Sequence, residues 1–179
     1  MKTRTWVWGA VVWLAAVATL AAATEVKVTP LCAAGHVFAS FSAPSAFTAD
    51  AREVVESGLP LTFTFTVELR RASPVWFDHT LSALTLAASV KYDNLTRVYQ
   101  VSKLQEGRVT WSDHTDEEDK MRVWVTVFDG VSLDPTEALE PNADYYVRVR
   151  LRASPRRTFS FWPFGHDDGS GRADFTFLR

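Results

Sequence analysis

In the ten residues LTFTFTVELR, Leu61, Phe63, Phe65, Val67 and Leu69 alternate with Thr62, Thr64, Thr66, Glu68 and Arg70. Side chains of an extended chain point to opposite faces at every second residue. A period of two over this length therefore predicts a strand with one buried and one solvated face, as antiparallel sheets have. Such a strand cannot stand alone, and the rest of the chain offers it neighbours. YYVRVRLR repeats the alternation, with Tyr145, Val147, Val149 and Leu151 inward and Arg148, Arg150 and Arg152 outward. Leu81 to Tyr92 places Leu84, Leu86, Ala88, Val90 and Tyr92 on one face. Asp93-Asn94 is a tight-turn dipeptide, so Leu81 to Ser102 reads as a long hairpin. Val26 to Pro30 and His36 to Ser42 are β-prone runs separated at Ala33-Ala34-Gly35, and ADFTFL near the C-terminus reads as a final strand. The expected fold is mainly β: an antiparallel β-sandwich of about six to eight strands, immunoglobulin-like in size, with one or two short helices.

Two segments leave this pattern. Thr48 is an N-cap for ADAREVVES, and Gly58-Leu59-Pro60 ends that helix. In DHTDEEDKMRVWVTVFDGV, residues 113–131, Thr115 and Glu118 have the spacing of a capping box, and four acidic residues suit the positive end of a helix dipole. Met121, Trp124, Val125 and Phe128 share a helical face, which predicts a helix from Asp116 to about Phe128. Val123, Val125 and Val127 also fit the alternation of a strand. Pro135 and Pro141 flank a loop.

The N-terminus has a different character. Lys2 and Arg4 precede an apolar run from Trp6 to Ala23, closed by Ala21-Ala22-Ala23. A basic start, an apolar stretch and small residues are the grammar of a cleaved signal peptide, which predicts a signal at 1–23 and a single domain at 24–179. The run is also at the lower limit for a spanning helix, so an uncleaved anchor is the alternative, and only then would the protein be membrane-associated. Thr29-Pro30-Leu31 before Cys32 lacks the small residues that lipid attachment needs. Removing Lys2 and Arg4 from the 19 basic residues leaves 17 against 21 acidic ones, a net charge of −4. That balance argues against a nucleic-acid binder. Cys32 is the single cysteine, which excludes an internal disulfide and is expected to be a small buried thiol.

Several chemical motifs fail on inspection. HDDGSGRADF, residues 166–175, imitates a calcium loop with Asp168, Ser170, Gly171 and Asp174. Its first position, however, would be His166, and its last would be Phe177 where a bidentate glutamate belongs. It is expected to be a turn between Phe164 and Ala173, not a metal site. Asp78-His79, even with Ser82 nearby, lacks the orienting groups of a nucleophilic site. His36, His79, His114 and His166 lie too far apart for a zinc motif. No phosphate-cradling glycine loop occurs, and Gly107 and Gly130 read as turn glycines. No catalytic residue, metal or cofactor is expected. A hydrolase centred on His79 is the remote alternative.

Two features remain. Arg148, Arg150 and Arg152, extended by Arg156 and Arg157, form an outward stripe that suits an anionic partner. Its plainer reading is a charged strand face that discourages edge pairing and faces acids such as Glu68. Phe159, Phe161, Trp162 and Phe164 in FSFWPF form either an aromatic platform for a carbohydrate or lipid, or the rim of the core.

The phrases ESGLPLTFTFTVELRR, WFD, VKYDNLTRVYQVS and YYVRVRLR, in this order, resemble a bacterial family catalogued as domain of unknown function 4390. The resemblance covers roughly Ala39 to Leu178. It implies an exported protein with no assigned enzyme activity, encoded near membrane sensor kinases, and a helix after the central hairpin. It carries over no catalytic residues. Together these readings predict a periplasmic or extracellular, non-enzymatic accessory domain that binds an envelope protein and is linked to envelope signalling.

Overall fold

The computed structural model describes residues 24–73, 77–155 and 169–178. The apolar N-terminal segment, Arg156, Arg157, the Phe159–Phe164 aromatics with Trp162, and His166 to Asp168 lie outside these residues. Ten strands and two α-helices follow in the order β1 (Thr24–Glu25), β2 (Lys27–Ala33), β3 (His36–Ser42), α1 (Ala49–Glu56), β4 (Leu61–Arg71), β5 (His79–Asp93), β6 (Val98–Gln105), β7 (Arg108–Thr115), α2 (Glu118–Thr126), β8 (Val127–Pro135), β9 (Asp144–Pro155) and β10 (Gly169–Thr176). They build a seven-stranded sheet of order β1-β10-β9-β4-β5-β6-β7 and a three-stranded sheet of order β2-β3-β8. The mainly β, two-sheet, two-helix architecture is the expected sandwich. Among the described residues no helix is long and apolar enough to cross a membrane.

The alternating segment is the spine of the large sheet. β4 pairs antiparallel with β5 on one side and β9 on the other. Its inward residues Phe63, Phe65, Val67 and Leu69 are completely buried, as are Val147 and Val149 of β9 and Ala88 and Val90 of β5. The small sheet packs over this face. Phe41 of β3 and Phe128 of β8 meet Phe65, with ring centroids 5.2 Å (Phe41–Phe65) and 5.1 Å (Phe65–Phe128) apart. The helices close the remaining inner surface with Ala51 and Val55 of α1 and Met121 and Val125 of α2.

α1 is capped as expected, but the capping box expected of Thr115 and Glu118 does not form at α2. The Thr48 hydroxyl accepts the Ala51 N–H at 3.2 Å and caps α1. For α2 the cap is Glu117, one residue before the expected capping-box glutamate, and the Thr115 hydroxyl accepts the Glu117 N–H at 3.1 Å. Val125 is buried while Val123 is largely exposed, which a strand's alternation would not allow. The helix stops at Thr126, and Phe128 belongs to β8. An ion pair between Arg52 and Glu118 ties the two helices together.

The structure corrects other expectations. There are ten strands among the described residues, not six to eight, because β7 and β8 carry weak alternation and β1 has only two residues. Cys32 is exposed, not buried. It lies at the end of β2, an edge strand, next to the turn into β3. The final strand expected at ADFTFL is β10, but it begins earlier, at Gly169 inside the expected turn, and pairs with β9 from Gly169↔Leu151 to Thr176↔Asp144.

The glycines of that segment have a packing role. β1 runs parallel to β10, and the chain then crosses at Val26 from the large sheet to β2 in the small one. A Cβ on Gly171 would stand 1.9 Å from the Val26 carbonyl oxygen, and one on Gly169 would stand 2.3 Å from that of Thr24. Only a residue without a side chain permits this approach. Gly171→Ala is therefore expected to lower unfolding free energy by about 1–3 kcal/mol, as overpacking does. The exposed neighbour change Ser170→Ala should stay within about 0.5 kcal/mol. Denaturant unfolding of the two variants checks this, and equal stabilities would remove the packing explanation.

Candidate functional site

The outer face of the large sheet gathers the charge that the inner face excludes. On β4 the outward residues are Thr62, Thr64 and Thr66, followed by Glu68 and Arg70. The register sets Thr64 opposite Arg152, Thr66 opposite Arg150, Glu68 opposite Arg148 and Arg70 opposite Tyr146. β10 adds Arg172, which pairs across from Arg148. Five arginines from three adjacent strands thus share one surface.

Glu68 is the centre of this surface and only 8% exposed. Its Oε2 accepts from Arg148 Nη2 at 2.6 Å and Nε at 3.1 Å, and its Oε1 accepts from Arg150 Nη2 at 2.5 Å. Arg70 Nη1 is 3.9 Å away. Burial alone would raise the carboxyl pKa. The hydrogen bond from Arg148 and the charges of Arg148, Arg150 and Arg70 outweigh it and hold the group below the usual glutamate range. One carboxylate therefore orders several guanidinium groups without neutralising them all.

A second network adjoins the first. The Tyr146 hydroxyl donates to Asp78 Oδ2 at 2.7 Å, and Asp78 Oδ1 accepts the Ser73 N–H at 3.1 Å. These two hydrogen bonds hold the Asp78 carboxyl below its ordinary range. The Arg172 guanidinium lies 3.6 Å from the Tyr146 ring centroid and donates to Asp174. Arg70 stands over the same ring at 5.9 Å and donates to the Asp78 carbonyl at 2.9 Å. Ser73 and Asp78, after β4 and before β5, are thereby anchored to the arginine face.

Of the expected interaction residues, Arg148 and Arg150 meet at Glu68, and Arg152 continues the row as an exposed side chain. Arg156, Arg157 and Trp162 lie outside the described residues. The edge-blocking explanation of the stripe does not hold, because β9 is an interior strand between β10 and β4. Sequence reasoning missed Arg70, Arg172 and the Tyr146–Asp78 pair. Arg70 was visible as the last outward position of the alternating segment. Arg172 was hidden in a stretch read as a turn. Asp78 serves the loop, while His79 is exposed and opposite Arg71 in the register. Ser82 directs its hydroxyl to the Leu133 carbonyl at 3.4 Å. Among the described residues no three His, Cys, Asp or Glu side chains converge as metal ligands would.

The model of the family described as a domain of unknown function (DUF4390) matches residues 20–157, and the chain belongs to that family. The matched span begins earlier than the expected Ala39, taking in β1 and β2, and it stops short of β10. No curated protein and no solved structure matches the chain.

Two outcomes follow for the charged face. A carboxyl whose pKa is depressed in the folded state stabilises the fold above its unfolded value, about 4.3, and loses that contribution as pH falls through the folded value. Glu68→Gln should therefore melt below the parent protein at pH 7, and the gap should close on acidification below pH ~4; a gap independent of pH would show that Glu68 acts by packing alone. The double change Arg148→Glu with Arg150→Glu places two further carboxylates beside buried Glu68. It should cost on the order of 2 kcal/mol or more, discounted from the ~3–5 kcal/mol of a fully buried pair because the guanidiniums remain partly solvated. Thermal melts of the double variant against the parent measure this.

Proposed function

We propose that this DUF4390 member is an exported, non-enzymatic domain of the cell envelope that docks an acidic surface of a partner protein on its arginine face. The observation that supports the reading is charge segregation. The domain from residue 24 onward carries a net charge of −4. The outer face of β4, β9 and β10 sets Arg70, Arg148, Arg150, Arg152 and Arg172 against Glu68, Asp144 and Asp174, with Asp78 beside them, and the arginines cluster around Glu68 while Asp144 lies at the far end of β9. A positive field on a negative molecule steers an acidic partner to one side and repels it elsewhere. Arginine also suits an interface, since its planar group gives paired hydrogen bonds to carboxylates. The apolar, alanine-ended segment before Thr24 supports export, and the face's fixed, hydrogen-bonded side chains suit docking at little entropic cost.

The test is crosslinking of an epitope-tagged full chain in its native envelope, comparing the parent with Arg152→Glu. This change avoids the hydrogen bonds to Glu68, and the variant's circular dichroism is compared with that of the parent first. The expected result is one reproducible protein partner whose capture falls several-fold in the variant and falls with added salt. Capture that is indifferent to both would overturn the arginine face as the docking surface.

A further inference from the structure

We infer that the cleft between β6, β7 and β8 is a binding site for a small organic monoanion, a carboxylate on a short apolar body, with Lys103 as its counter-charge. The cleft measures about 350 Å³, enough for a small ligand. It exists because β8 does not run straight. The pairing of β3 with β8 slips between Ala39 and Phe41, leaving Asp129 and Gly130 as an extra loop of backbone. Gly130 takes φ 61° there and donates its N–H to the Ser40 hydroxyl at 3.1 Å. Bulges of this kind bend a strand and open space beside it.

Lys103 is an unusual occupant of its position. Tyr99 and Val101 are the preceding inward residues of β6, and both are buried. The next inward residue is a lysine. Its Nζ donates to the Val127 carbonyl at 2.8 Å and sits 4.5 Å from the Phe128 ring centroid and 5.9 Å from that of Trp111. Among the described residues it contacts no carboxylate within ion-pair distance. Burial pushes its pKa below the ordinary lysine range, and the charge of Asp129 only partly offsets this. An ammonium has three donors, of which the Val127 carbonyl takes one. A half-buried cation held by one carbonyl and two aromatic rings, with no ion-pair partner among the described residues, keeps donors for an anion in the cleft.

The remaining lining fixes the ligand's character. Leu86, Phe128 and Val131 offer apolar surface, which suits a hydrocarbon or aromatic body. Asp129, exposed on the rim, brings a negative charge that a monoanion tolerates and a dianion does not. The site therefore discriminates against inorganic phosphate. This surface is separate from the arginine face, so the proposal does not depend on the docking reading.

The test is amide-shift titration of the isotopically labelled full chain with benzoate and, separately, with inorganic phosphate. Benzoate should shift Phe128, Gly130, Val131 and Ser132 saturably at about 1–10 mM, and phosphate should not. Lys103→Met, which keeps the apolar stem, should weaken benzoate at least about tenfold while the melting temperature stays close to the parent. Asp129→Asn should tighten benzoate several-fold and admit phosphate. Absence of saturable shifts in the cleft, undiminished binding by folded Lys103→Met, or an Asp129→Asn variant with unchanged affinity for both anions would each overturn the inference. The last result stands even if Lys103→Met fails to fold.

Discussion

The contact of Phe65 with Phe41 and Phe128 holds the two sheets against each other, and nearly every other feature is arranged around it. The three rings come from β4, β3 and β8, elements far apart in the chain, and each pair of centroids is separated by 5.1–5.2 Å. Sheets stacked face to face need such interdigitated side chains to exclude water from the space between them. Because β4 is central in the large sheet, fixing its inward face fixes the outward one. Alternation then leaves Glu68 and Arg70 no choice but the outer surface.

That outer surface gains order from burying one acid. A glutamate withdrawn from water would be costly if unpaired, and the flanking arginines offset the cost by donating three hydrogen bonds to it. The same bonds immobilise long, flexible side chains on β9. The charged face is therefore a built surface with a fixed geometry, in contrast to a scatter of solvated cations whose pairing contributes little.

How much of this was legible in the sequence depends on how strongly each segment was constrained. β4, β5 and β9 are buried on one face along most of their length, so their alternation was clean and their inward residues were read correctly. α1 was legible through its cap. α2 was ambiguous because three alternating valines competed with a helical face that shares only Val125 with them, and the exposure of Val123 separates the two. β7 was missed because it is an edge strand with few buried positions, and β8 because its bulge breaks the alternation. The start of β10, residues 169–172, was misread for a physical reason: glycine signals a turn and a close backbone approach equally well, and only the crossing of Val26 distinguishes them. The arginine row was visible, but the burial of Glu68 was not, since it depends on the register of strands some eighty residues apart.

The pairing of β1 with β10 also bears on the order in which the molecule is completed. Among the described residues the first strand finds its sheet partner in the last one. β4 to β7 form a meander of neighbouring hairpins that needs nothing from the C-terminal third. β1, by contrast, must wait for β9 and β10 before the large sheet can accept it. Long-range closure of this kind is slow relative to local hairpins. β1 thus stays unpaired until β10 has been made, about 145 residues after it, so the large sheet is closed by a late, long-range step.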